Sequence, residues 1–60
     1  MKSEEIKLEI KKHMTQVQLA KKLNISQPTV HEIIWKKKRS YKKQKFIAEL
    51  IGKSFEEVWG

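Results

Sequence analysis

Sixty residues carrying 14 Lys and Arg against 7 acids, a net charge of +7 and no cysteine make one small domain, 1–60. The missing cysteines exclude a disulfide framework, a thiolate zinc site and a thiol nucleophile, and because every acid is a glutamate the composition also argues against a paired-carboxylate active site or a hard-metal cage. The longest apolar run is Ile33-Ile34-Trp35, far below the ~20 residues that span a bilayer, and no basic-then-apolar segment opens the chain, so a soluble cytoplasmic protein with a polyanionic partner is expected.

One proline and two glycines leave little turn chemistry, and the expected class is all-α. Ser3 before Glu4-Glu5 predicts a first helix over about 4–12, carrying Ile6, Ile10 and Met14 inward and the pairs Glu4–Lys7 and Glu9–Lys12 outward. Leu8 falls off that stripe. Thr15-x-x-Gln18 is a capping box with Met14 and Leu19 in the staple positions, so a second helix starts at Gln16, turns Val17, Ala20 and Leu23 inward and stops near Asn24. Ser26 caps a third helix from Gln27, with Ile25 and Val30 in the staple positions and Pro28 in the first turn, where its missing N–H is harmless. At 100° per residue Val30, Ile33 and Ile34 face inward, with Pro28, Glu32 and Trp35 opposite and Thr29 and His31 on the flanks. Trp35 is expected to pack against the next helix, the alternative being an indole N–H given to a phosphate.

Residues 36–45 then bring seven bases and no acid, the sharpest composition shift in the chain. A fourth helix from Ser40 or Tyr41 is expected to turn Phe46, Ile47, Leu50 and Ile51 to one face and to close at Gly52. Ser54-Phe55-Glu56-Glu57 is a further capping box over a short last helix, whose Phe55, Val58 and Trp59 complete the core or, in the alternative, form a dimer surface.

Two capped helices joined by Asn24-Ile25-Ser26 have the spacing of a helix-turn-helix at about 16–35. Counting from Gln16, small Ala20 is fifth, Asn24 ninth, and apolar Ile25, Val30 and Ile33 tenth, fifteenth and eighteenth. This pattern resembles the phage Cro and repressor type, the XRE-like family. Residues 47–59 are similar to the closing segment of Ner-like phage regulators. Asn24 stands where the family usually has Gly, and the third helix ends in Trp35-Lys36-Lys37-Lys38 without the common Gly.

The resemblance implies a compact five-helix domain that reads duplex DNA in the major groove with helix 27–35, a transcriptional regulator of repressor type in a bacterial or phage-infected cell. Gln27, at the helix start, can bond an adenine through N6 and N7 together, and Glu32 can accept from cytosine N4 or pair instead with Lys36. With Pro28 and His31 these are the candidate base-reading residues. Gln16, opening the second helix, matches a family position that contacts the backbone; Ser26, Thr29, Lys36, Lys37, Lys38, Arg39, Tyr41 and Lys42 are the other candidate phosphate contacts. A homodimer on a palindromic operator is the corresponding assembly.

No nucleophile–base pair, phosphate-cradling glycine loop or metal set is present, so neither catalysis nor a cofactor is expected. His13 and His31 alone do not make a metal site. No small-molecule effector is expected of so short a chain. The rival readings are a helical interaction module such as an antitoxin-type domain, and a basic binder of polyanions or membrane surfaces with no fixed core.

Overall fold

Each helix must satisfy first-turn amides that have no partner within the helix, and side chains three residues apart do most of this here. The computed structural model describes residues 1–60 as α1 (Ser3–Lys11), α2 (Gln16–Leu23), α3 (Gln27–Ile34), α4 (Tyr41–Leu50) and α5 (Phe55–Trp59), with no strand. Thr15 Oγ1 accepts from Gln18 N at 3.1 Å while Gln18 Oε1 accepts from Thr15 N at 2.9 Å, and Ser54 with Glu57 repeats the exchange at the start of α5. At α1 the cap lies one residue earlier than Ser3. Glu5 Oε1 reaches back to Lys2 N at 3.0 Å, so Ser3 is already helical. Of the two ion pairs expected on α1, Glu9–Lys12 forms at 2.7 Å and is the single ion pair of the protein; the bond from Lys12 holds the Glu9 carboxyl below the usual carboxylate range.

Three helices end by the same device. Asn24, Lys36 and Gly52 have φ of 56°, 62° and 73°, and the next amide in each case turns back to a carbonyl of the preceding helix: Ile25 to Ala20 at 2.9 Å, Lys37 to Glu32 at 2.8 Å, Lys53 to Ala48 at 3.0 Å. Only Gly52 adopts this left-handed conformation without steric cost. Asn tolerates it, whereas Lys36 pays about 1 kcal/mol in Cβ crowding. Lys36→Gly is therefore expected to raise the melting temperature by a few degrees, even after loss of the lysine's own hydrogen bond to Met1. A lowered melting temperature in calorimetry would show that the side-chain bond outweighs the backbone relief.

The core is one cluster of Ile6, Ile10, Leu19, Ala20, Val30, Ile33, Ile34, Ile47, Ala48, Ile51 and Val58. Helix α3 is central: its three apolar residues have no exposed surface, and both α1 and α2 pack on it. Helix α5 packs on α4, with Val58 fully buried and Trp59 against the cluster, so this end of the chain completes the core. Trp35 also packs against the cluster.

Two inward faces differ from expectation. Val17 is 43% exposed and Leu19 is buried in its place, because Leu19, Ala20 and Leu23 span about 100° of the helix while Val17 lies about 160° from Leu19. On α4, Phe46 is 37% exposed and Leu50 half-buried, whereas Ala48 and Gln44 are buried. The buried arc runs through Gln44, Ile47, Ala48 and Ile51, within about 100° of one another. Packing α5 over this arc fixes the rotation: Trp59 Nε1 donates to the Gln44 carbonyl at 2.8 Å.

Candidate nucleic-acid interface

Burying Val30, Ile33 and Ile34 leaves the opposite side of α3 to solvent. Gln27, Pro28 and His31 are exposed there, with Thr29 and Glu32 half-buried beside them. Glu32 makes no ion pair, and the Glu32–Lys36 alternative is not formed, because the left-handed Lys36 takes the chain out of the helix before its side chain can lie back along it. His31 leans toward Trp35, ring centroids 5.8 Å apart.

The two helix starts offer different groups to an anion. At α3, Pro28 has no N–H and Ser26 Oγ takes that of Thr29 at 3.4 Å, which leaves one free amide, on Gln27, in the first turn. The hydroxyls of Ser26 and Thr29, 2.9 Å apart, are the polar groups presented instead. At α2, Thr15 occupies the Gln18 amide, and the amides of Gln16 and Val17 stay available at the positive end of the helix dipole. Gln16 is half-buried in a shallow groove with Lys7 and Lys11.

Ser26 and Thr29 border a cleft of about 250 Å³ that also receives Lys38, Arg39, Ser40 and Lys43, floored by Ile25 and Ile33. Three cations meet the start of α3 here without an acid among them. Lys38 and Arg39 are where the composition placed them. Lys43 was not among the expected contacts; it lies one turn before Ile47, at the edge of the buried arc, and is half-buried where it lines the cleft. Lys42, expected in this role, lies on the exposed side of α4, about 180° from the centre of the buried arc.

Lys37 is exposed at the tip of the turn. Lys36 is directed away from the cleft, its Nζ donating to the Met1 carbonyl at 3.0 Å. Tyr41 is 58% exposed, and its ring rests on Phe55 at 5.0 Å on the α5 side of the molecule. The expected basic run is thus divided: Lys38, Arg39 and Lys43 converge on α3, and the others spread around the turn and α4. No helix is long and apolar enough to cross a membrane. No protein-family model matches the chain, and neither a characterised protein nor a solved structure shows significant similarity to it.

Proposed function

We propose that the protein binds duplex DNA sequence-specifically, laying α3 in the major groove and acting as a small transcriptional regulator. The observation that carries this reading is the cleft in which Lys38, Arg39 and Lys43 converge on the first turn of α3, next to an exposed Gln27. A helix entering the major groove needs cations at its flank to hold the phosphates that border the groove, and side chains free at its outer face to meet base edges. The uncapped amides of Gln16 and Val17 supply a second phosphate seat at the start of α2. An eleven-residue core counts against a basic peptide that folds only on a polyanion or membrane.

With extents of 24 × 22 × 18 Å, one copy spans less than the roughly 34 Å between half-sites on successive turns, so a palindromic operator would need two copies. Selection of bound sequences from a random duplex pool tests the function directly, because an enriched site gives both the sequence and its symmetry. Gln27→Ala is expected to cost about 1–3 kcal/mol on the enriched site and almost nothing on random duplex, the signature of a two-bond contact to one base pair. Equal losses on both DNAs would remove Gln27 from base reading. Failure to enrich any sequence, together with salt-independent binding, would favour a helical protein-interaction module.

A further inference from the structure

A second cleft lies between α4 and α5, lined by Lys36, Arg39, Gln44, Phe55, Trp59 and Gly60. Gln44 is its unusual member. The residue is 8% exposed, the one polar side chain among the buried residues, and it lines the cleft; its amide makes no hydrogen bond to a protein group and is not sealed from solvent. Its stem fills the buried arc while the amide stays open to water, so its donor and acceptor are free to meet a ligand. Around it the walls are aromatic and the rim is cationic. Trp59 is held in orientation by its indole bond to the Gln44 carbonyl at 2.8 Å, and Phe55 is braced by the Tyr41 ring at 5.0 Å. Arg39 has no ion-pair partner, and Lys36 uses one of its three donors on Met1.

We propose that this cleft is a nucleotide site: an unpaired base lies against Phe55 and Trp59, its polar edge meets the Gln44 amide, and its phosphate meets Arg39 and Lys36. The amide carries a donor and an acceptor side by side, which matches the paired donor and acceptor on the edge of a base such as adenine. A phosphorylated tyrosine would satisfy the aromatic walls and the cations but leave the amide without a partner. The cleft holds about 240 Å³, below the roughly 300–1,000 Å³ of drug-sized sites, which limits it to a single ring system. Stacking on aromatic side chains together with backbone cations is the usual means of holding unpaired nucleotides. The site is separate from the duplex reading and does not depend on it, although Arg39 borders both clefts.

The test is a titration of the isotopically labelled full chain, followed by the Gln44 side-chain amide and Trp59 indole resonances. The probes are adenosine monophosphate, ribose 5-phosphate, a short single-stranded oligonucleotide and its abasic counterpart. Saturable shifts of both resonances with the mononucleotide or the strand, and not with ribose 5-phosphate or the abasic strand, are expected. Response to both base-containing probes identifies a free nucleotide as sufficient, and response to the strand alone places the nucleotide within a polymer. Gln44→Met, similar in length and without the amide, is expected to weaken that binding about tenfold or more while leaving the melting temperature equal or higher. A residue kept for structure would instead lower it. Equal shifts from ribose 5-phosphate, no saturable shift with any probe, or undiminished binding by Gln44→Met would overturn the proposal. Should Gln44→Met fail to fold, the base-dependence of the wild-type shifts decides alone.

Discussion

Replacing Lys38, Arg39 and Lys43 together with glutamine is expected to reduce the salt dependence of duplex binding by about 2.7 in the slope of log K against log salt, if each cation neutralises one phosphate. Where the affinities of the two proteins converge near 1 M salt, the same change amounts to roughly a 500-fold loss at 0.1 M. The three side chains line one acid-free cleft at the start of α3, where each can meet a separate phosphate along the groove edge, and the loss should be similar on preferred and random sequences. Lysine and arginine at the backbone contribute charge and position, not sequence choice. The control is a second triple substitution to glutamine, at Lys2, Lys12 and Lys53. Lys12 and Lys53 line a groove over α1 whose acids Glu5 and Glu9 already offset their charge, and the expected change in slope is below about one. Binding isotherms at several salt concentrations separate the outcomes. If both triples flatten the slope equally, affinity follows net charge and the cleft has no particular part in it.

The starts of α2, α3 and α5 and the ends at Asn24 and Gly52 were legible in the sequence because they rest on bonds between residues three to five apart. Thr15 with Gln18, Ser26 with Thr29 and Ser54 with Glu57 are complete within one turn, so reading the side chains in order suffices to place α2, α3 and α5. The inward side of α3 was legible for a similar reason, since three large aliphatic residues at the spacing of Val30, Ile33 and Ile34 leave one choice of face. The rotation of α4 was not. Its apolar residues Phe46, Ile47, Leu50 and Ile51 define one face, while burial follows Gln44, Ile47, Ala48 and Ile51, because α5 packs on α4 through the Trp59 bond to Gln44 and leaves Phe46 partly in solvent.

That rotation also decides which lysine lines the cleft. Lys42 and Lys43 are chemically identical neighbours, and about 100° of helix separates their directions. The course of Lys36 was hidden for another reason. A lysine with left-handed φ is set by the closure of α3 and not by its own preference, and this conformation brings its ammonium to Met1, 35 residues away in sequence. Candidate contacts drawn from a run of like residues therefore need the helix phase before they can be sorted.

Ile33→Ala is expected to cost about 2–5 kcal/mol of folding stability, the range for truncating a buried aliphatic side chain and leaving a cavity. At roughly 0.05–0.15 kcal/mol per residue a domain of this size has only about 3–9 kcal/mol in total, so the variant should be partly unfolded at ambient temperature. Ile33 has no exposed surface, belongs to the helix on which α1 and α2 pack, and also floors the cleft that gathers Lys38, Arg39 and Lys43. Its loss should therefore weaken duplex binding as well, but through the population of folded chains, and binding should recover as the DNA concentration is raised, since a ligand of the folded state shifts the equilibrium toward it. Leu8→Ala, at a position 60% exposed on α1, removes an aliphatic side chain of the same size and should change the melting temperature little. Thermal melts of the two variants with and without duplex distinguish this from a direct contact: equal, small shifts for both would mean that α3 does not form the centre of the core, and a binding defect in a fully folded Ile33→Ala protein would mean that Ile33 shapes the interface itself.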